Sequence, residues 1–148
     1  MTPSRTPLVY AVAAAISIAA GVSIATGARA QGCAQIEVHN VRAEQGMVLV
    51  AAYTDATDFT DRKPASAIQQ RATAAPTMNV SVCGLAGASV ALLLYQDLNG
   101  NGKLDTNAFG VPGEPWGASG KPSGFGPPTW EATQVPLDGK PIVVQLSK

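Results

Sequence analysis

The chain has 148 residues, and its ten basic and ten acidic residues leave no formal net charge. Eight of the basic residues and all ten acidic residues lie after residue 30, so this part of the chain carries a net charge of −2. No basic run in this part suggests nucleic-acid binding, and no acidic tail suggests disorder. The length suits one folded domain with a single core.

The first thirty residues are typical of an export signal. An uncharged stretch over residues 6–28 follows Arg5, and Ala28-Arg29-Ala30 matches an A-x-A cleavage signal. We therefore predict a signal peptide over residues 1–30 and a mature domain over residues 31–148. This domain would lie in the periplasm or outside the cell, without membrane contact after cleavage. An uncleaved membrane anchor is the alternative, because the apolar run approaches spanning length.

The chain contains two cysteines, Cys33 and Cys83. Export to an oxidising compartment predicts a disulfide between them. Residues 34–41 and 77–83 both alternate between apolar and polar side chains, and each cysteine falls on the polar side of its alternation. The bond should therefore join strand ends at the outer surface and not span the core as an immunoglobulin disulfide does. Two free thiols are the alternative.

The next segments predict strands joined by turns. Residues 34–41 read as a half-buried strand, and the apolar run over residues 47–53 reads as a well-covered strand. The turn signal at residues 44–46 predicts that these two strands form a hairpin. The polar stretch over residues 54–64 is read as a solvated loop, with an ion site or a short helical turn as alternatives. An edge strand is predicted within residues 67–75.

The second half of the chain combines a central strand with a long irregular loop. Residues 89–97 form the most apolar predicted strand, which we place at the centre of a sheet. Residues 98–128 show almost no periodicity, and a loop of this length is commonly functional. A possible strand over residues 130–137, a hairpin turn at Asp138-Gly139 and a strand over residues 142–146 follow. Without a convincing helical period after the signal, the fold class is all-β, a single antiparallel β-sandwich of about seven strands.

A run of oxygen-bearing side chains at alternate positions follows the central strand. This spacing suits Ca²⁺, which takes six to eight oxygen ligands, and Gly102 lies where the loop must turn sharply. The twelfth position is Ala108, where an EF-hand has glutamate, so Glu114 is the candidate for an additional carboxylate ligand. We predict a weak calcium site, with a metal-free turn of Asx residues as the alternative. The predicted ligands are Asp97, Asn99, Asn101, the backbone carbonyl of Lys103, and Asp105.

Two tryptophans lie in the Gly/Pro-rich part of the chain. Trp116 and Trp130 are candidates for stacking on a sugar or holding a peptide. The alternative is that both fold down as a small satellite core beneath the long loop.

Four motifs together resemble a known family. They are a C-x-x-I-x-V strand from Cys33, the D-x-N-x-N-G-x-x-D loop over residues 97–105, G-x-P-x-E-x-W-G-x-S over residues 110–119, and G-P-P followed by an aromatic residue over residues 126–130. The pattern resembles the small secreted bacterial proteins grouped as domain of unknown function twenty-one forty-one. The resemblance implies an immunoglobulin- or transthyretin-like sandwich and no assigned activity.

No arrangement typical of an enzyme is found. His39 is the sole histidine, the G-x-S-x-G elbow is missing, and no Cys/His cluster suits zinc. We predict an exported envelope binding module that is stabilised by calcium and binds a sugar or a peptide. The alternative is a structural protein that pairs with another envelope protein through a sheet edge. A hydrolase that uses Asp105 and Glu114 is the lesser alternative.

Overall fold

The computed structural model describes residues 32–122 and 126–147. The predicted signal peptide and its cleavage site lie outside the described residues. Within the described ranges, none of the helices has the length and apolar character needed to span a membrane.

The described part of the chain forms eight strands and two short helices. The strands are β1 (Gly32–His39), β2 (Met47–Tyr53), β3 (Ser66–Arg71), β4 (Thr77–Leu85), β5 (Ser89–Asp97), β6 (Trp116–Ala118), β7 (Val135–Pro136) and β8 (Ile142–Gln145). The helices are α1 (Ala56–Asp61) and α2 (Trp130–Thr133). The all-β prediction is confirmed.

The strands form two sheets. One has the order β4-β1-β8, and the other has the order β3-β2-β5-β6, with β7 also pairing with β5. All pairs are antiparallel except β1 with β8, which run parallel. Strand β5 lies inside its sheet and β3 at an edge, as predicted.

The core lies between the two sheets. Alternate residues of β1, such as Ile36 and Val38, are buried against residues of the other sheet such as Val50 and Leu92. Burying each side chain of this kind contributes about 1.5–3 kcal/mol relative to leaving it exposed. Alternation along β1, β4 and β8 thus fixes which side of that sheet faces inward.

The predicted hairpin of β1 and β2 is wrong. Strand β1 pairs with β4 and β8, whereas β2 pairs with β3 and β5 in the other sheet. The turn between β1 and β2 is present, but it carries the chain across the sandwich. Gly46 (φ 61°) is required there, because a Cβ on it would lie 1.9 Å from the carbonyl oxygen of Asp97.

The first half of the predicted strand over residues 130–137 is helix α2. Thr129 caps this helix, since its Oγ1 accepts a hydrogen bond of 3.4 Å from the backbone N–H of Ala132. Only β7 follows as a strand. The turn at Asp138-Gly139 joins β7 to β8, which lie in different pairings, so it is not a hairpin turn.

Two segments interpreted as irregular contain regular structure. Residues 54–64 include α1, where Asp55 Oδ1 accepts a 2.9 Å hydrogen bond from the backbone N–H of Asp58, and this matches the helical-turn alternative. The long loop contains β6, whose three residues pair with β5. This strand is too short to show an alternating pattern within the long segment that we predicted to be irregular.

The disulfide prediction is confirmed. Cys33 and Cys83 are bonded and lie opposite each other on β1 and β4, and both are exposed on the outer surface. The bond closes a sequence separation of 50 residues. Closing such a loop stabilises the folded state by about 4 kcal/mol in the chain-entropy account.

Candidate functional site

Two side chains of the 97–105 loop converge on the carboxylate of Asp105. Asn99 Nδ2 donates a hydrogen bond of 2.6 Å to Asp105 Oδ2, and Asn101 Nδ2 donates one of 2.8 Å to Asp105 Oδ1. Each asparagine oxygen also accepts a hydrogen bond from the backbone N–H two residues later, at Asn101 and Lys103. The alternate spacing thus turns these side chains inward, as Asx turns do.

Asp97 organises the backbone of the same loop. Its side chain is buried and accepts hydrogen bonds from the backbone N–H groups of Gly100 (2.7 Å), Asn101 (3.2 Å) and Gly102 (2.7 Å). Burial raises the pKa of Asp97, but the backbone N–H groups outweigh burial and hold the pKa below its ordinary value. The carboxylate is therefore ionised at neutral pH.

Glu114 folds back onto the loop, at the position where the sequence suggested an extra carboxylate. Its Oε1 accepts a 2.8 Å hydrogen bond from the backbone N–H of Leu98, and its Oε2 accepts one of 3.1 Å from that of Asp105. Glu114 is 7 % exposed. One buried side chain thus fixes both ends of the loop.

Tyr95 closes the loop from the sheet. Its hydroxyl donates a 2.9 Å hydrogen bond to the carbonyl oxygen of Gly102. Burial raises the pKa of Tyr95, and the negative charges of Asp97 and Glu114 raise it further. The phenol therefore remains protonated and acts as a donor at neutral pH.

These contacts give the loop its shape through hydrogen bonds within the chain. Among the described residues, no group of three or more His, Cys, Asp or Glu side chains is placed to hold a metal ion. The geometry is that of an Asx-rich turn in which Asp105 is the carboxylate contacted by side-chain amides. Calcium binding at this loop stays a prediction.

A groove of about 640 Å³ lies where β6 approaches β8. Trp116 and Ala118 line it from β6, Val143 and Gln145 from β8, and Ser147 from just beyond β8. Pockets of 300–1,000 Å³ are typical of small-ligand sites. Trp116 is the predicted ligand-binding residue that the fold places in a groove of this size.

The edges of β6 and β8 meet closely at the floor of this groove. The backbone N–H of Ser147 donates a 2.7 Å hydrogen bond to the carbonyl oxygen of Trp116, whose own N–H donates one of 3.1 Å to Ser147 Oγ. Gly117 permits the approach, because a Cβ there would lie 2.5 Å from the carbonyl oxygen of Gln145. The two sheets are therefore joined at this side of the sandwich.

An apolar row on the outer side of the second sheet leads to the groove. Leu49, Tyr95 and Trp116 lie opposite one another on β2, β5 and β6, and all three are half-buried. Side chains directly opposite on adjacent strands share a face. The sequence does not reveal this row, because β2 and β5 are apolar at both odd and even positions, as fully covered strands are.

Trp130 does not line this groove. It packs on Phe59, with ring centroids 6.0 Å apart, and Phe59 in turn packs on Tyr53 at 5.2 Å. The Arg62 guanidinium lies 5.0 Å from the centroid of the Phe59 ring. Trp130 thus belongs to a satellite core formed by α1, α2, β2 and β5. The alternative interpretation holds for Trp130 and not for Trp116, which lies at the groove.

His39, the sole histidine, and Ser119, the serine of the incomplete G-x-S-x-G pattern, both have structural contacts. His39 Nε2 lies 2.6 Å from Glu37 Oε1 on the outer side of β1. Ser119 is buried, and its Oγ donates to the carbonyl oxygen of Thr133 (2.7 Å) and accepts from the N–H of Leu92 (2.9 Å). The two Ser119 contacts connect α2 to β5.

The chain matches one family model over most of its described length. The family described as "Uncharacterized protein conserved in bacteria (DUF2141)" matches residues 36–145. The chain belongs to this family. No curated protein and no solved structure matches it.

Proposed function

We propose that this family member is an exported binding module that holds an envelope sugar or peptide in the groove beside Trp116. One observation carries the proposal. Trp116 belongs both to the groove and to the outward apolar row, so an aromatic surface and a concave surface meet at one residue. Binding sites commonly combine an apolar wall with a few placed polar groups, here Gln145 and Ser147.

Export is supported from two directions. The N-terminal sequence has the charge, apolar stretch and small residues of a cleavable signal. The Cys33–Cys83 disulfide persists in oxidising compartments such as the periplasm. We expect a mature N-terminus at Gln31, which the intact mass of the protein recovered from a bacterial envelope fraction tests.

The groove rests on a rigid framework. Its Trp116 wall is paired to β5 in the centre of the sheet, and its floor is fixed by the two hydrogen bonds between Trp116 and Ser147. Sites on strands hold their side chains in place better than sites on free loops. Glu114 and the 97–105 loop lie just before β6, and their contacts fix the approach of the chain to the groove.

Calcium is proposed as a weak stabilising ion and not as part of the ligand site. Asn99 and Asn101 already meet at the Asp105 carboxylate. If both side-chain amides rotated, their oxygens would lie beside the Asp105 carboxylate, a donor set of the kind that Ca²⁺ prefers. This rotation would replace the hydrogen bonds that the oxygens accept from the backbone N–H groups of Asn101 and Lys103. We expect an affinity of about 10⁻⁴–10⁻³ M, which is the range of extracellular modules.

The binding proposal is tested by mapping amide chemical-shift changes in the mature protein. The probes are neutral and charged oligosaccharides and short capped peptides, each added separately. We expect one class to shift resonances of β6 and of residues 143–147 while leaving those of α1 unchanged. Shifts confined to other surfaces, or none with any probe at millimolar concentration, would contradict the proposal.

A structural role in the envelope is the second candidate. The half-buried apolar row of Leu49, Tyr95 and Trp116 favours it, since apolar surface of this kind also suits contact with another protein. Native mass spectrometry of the mature protein distinguishes the candidates. A stable oligomer that covers Trp116 would favour the structural role over ligand binding.

A further inference from the structure

We infer that the ligand of the groove is a neutral oligosaccharide, with one sugar ring lying against Trp116. This inference rests on the proposed binding function and names the class of ligand. Three features of the groove carry it: its uncharged lining, its closed strand edges and the polar groups beside the tryptophan.

The lining carries no charge within the described residues. The walls consist of apolar, glycine, proline and uncharged polar residues, with Gln145 and Ser147 as the polar side chains. A charged ligand that loses water in such a groove would lack an opposite charge to compensate. The lining therefore favours a ligand that presents hydroxyl groups and apolar ring faces.

The strand edges argue against a peptide. A peptide that binds by strand addition needs an edge whose N–H and C=O groups are free along several residues. Here Trp116 and Ser147 exchange two hydrogen bonds across the gap, and Gly117 lies in contact with the Gln145 carbonyl. No space remains for a strand between β6 and β8, so a ligand must lie on the side chains above them.

The side chains above the strands suit a sugar. An indole ring offers a flat apolar surface, on which the C–H face of a sugar ring packs well. Gln145 carries both a donor and an acceptor on one exposed amide. Ser147 Oγ accepts from the backbone N–H of Trp116, and its own hydroxyl proton is left to donate to a sugar hydroxyl.

Titration calorimetry with two neutral probes tests this inference. The probes are the β-1,4-linked tetramer of N-acetylglucosamine and cellotetraose, and capped Val/Thr hexapeptides serve as the peptide comparison. We expect at least one sugar to bind, and its affinity to stay within about twofold between 50 mM and 500 mM salt, because no ion pair contributes.

Two substitutions locate the sugar. We expect Trp116→Leu, which keeps apolar volume but removes the ring, to weaken binding by about tenfold or more. Gln145→Ala should weaken binding by about three- to tenfold, and the matched control Gln35→Ala, on the outer side of β1, should leave it unchanged. Gln145 is exposed, so its substitution tests the site even if Trp116→Leu fails to fold.

The outcomes separate the inference from the function on which it rests. Peptide binding that is lost in Gln145→Ala, without sugar binding, would overturn the sugar assignment and retain the binding module. Sugar binding that is unchanged in Gln145→Ala and Trp116→Leu would overturn the inference by placing the sugar elsewhere. No binding of either class would overturn the sugar assignment, and the binding module falls with it if charged oligosaccharides also leave the resonances of β6 and residues 143–147 unchanged.

Discussion

Gln96 and Arg42 are joined by a pair of hydrogen bonds across the fold. The Arg42 backbone N–H donates to Gln96 Oε1 at 2.8 Å, and Gln96 Nε2 donates to the Arg42 carbonyl oxygen at 2.8 Å. Gln96 Nε2 also donates to the Gln45 carbonyl oxygen at 2.6 Å. The fully buried side-chain amide of Gln96 thus connects the segment that crosses between the sheets to the end of β5, directly before the 97–105 loop.

Replacing this amide should be costly. Gln96→Leu keeps the buried volume but removes the partner of the Arg42 N–H and of the Gln45 carbonyl. The Arg42 carbonyl keeps only the 3.3 Å hydrogen bond from the Gln45 N–H. We expect a loss of about 2–4 kcal/mol in the free energy of unfolding, measured by urea denaturation. Gln69→Leu, at an exposed position of β3, is the control and should change stability by less than about 0.5 kcal/mol. Equal losses of stability in the two variants would show that the hydrogen bonds of Gln96 do not stabilise the fold.

Glu114 should stabilise the loop by accepting two backbone hydrogen bonds. Glu114→Gln replaces one accepting oxygen with a donor that faces an N–H group, so we expect a loss of about 1–3 kcal/mol in the free energy of unfolding. Amide exchange at Leu98 and Asp105 should speed up in the variant. The exposed Glu131→Gln is the matched control, and protection of Leu98 that survives Glu114→Gln would show that the contact is dispensable.

Stability should fall in acid partly through Asp97. Its pKa is lower in the folded state than its ordinary value, because backbone N–H groups outweigh burial. A lowered pKa contributes stability above the unfolded value of about 3.9 and loses it as the pH falls through the folded value. We expect the melting temperature to drop below about pH 4, and to drop less in Asp97→Asn. An identical acid profile in the variant would count against this assignment.

Calcium should raise the melting temperature if the loop binds it. With an affinity near 0.5 mM, 5 mM Ca²⁺ would stabilise the fold by about 1.4 kcal/mol, a shift of about 5 °C for a domain of this size. The same concentration of Mg²⁺ should have a smaller effect, and Asn101→Ala should abolish the Ca²⁺ shift. If several millimolar Ca²⁺ leaves the melting temperature unchanged, the loop does not bind calcium.

The disulfide should stabilise the fold without forming part of the groove. Replacing Cys33 and Cys83 together by serine should lower the free energy of unfolding by about 4 kcal/mol. Both residues lie on the outer side of β1 and β4, whereas the groove lies at β6 and β8. Ligand affinity should therefore persist in the double variant wherever it remains folded, and a coupled loss of affinity would contradict this separation.

Local sequence patterns predicted where the strands lie better than which strands pair with each other. The alternation of Ile36 and Val38 gave β1 and its inward face, but no local pattern shows that β1 pairs with β4 and β8 and that β2 lies in the other sheet. Helix α2 was missed because four residues are too few for a helical period. Thr129 is a residue type that often caps a helix N-terminus, but threonine is also common in strands. Only the structure shows that it caps a helix here.

The candidate site was predictable in its parts and not in its assembly. The alternate oxygens at residues 97–105 followed from spacing and residue type. Glu114 was a candidate from its residue type alone, and only the structure shows its return to the loop. The groove depends on the approach of β6 to β8, which are separated along the chain and joined through Trp116 and Ser147. Contacts of this kind are set by tertiary packing, so Trp116 was predictable as a candidate residue and the groove beside it was not.

The fluorescence of Trp116 provides the most direct measurement of ligand binding at the groove. The variant Trp130→Phe leaves Trp116 as the single tryptophan and keeps an aromatic ring against Phe59. Titration with the neutral tetrasaccharides should shift and saturate its emission, and should protect it from quenching by acrylamide. Saturable binding by calorimetry with unchanged emission and quenching of Trp116 would contradict the account.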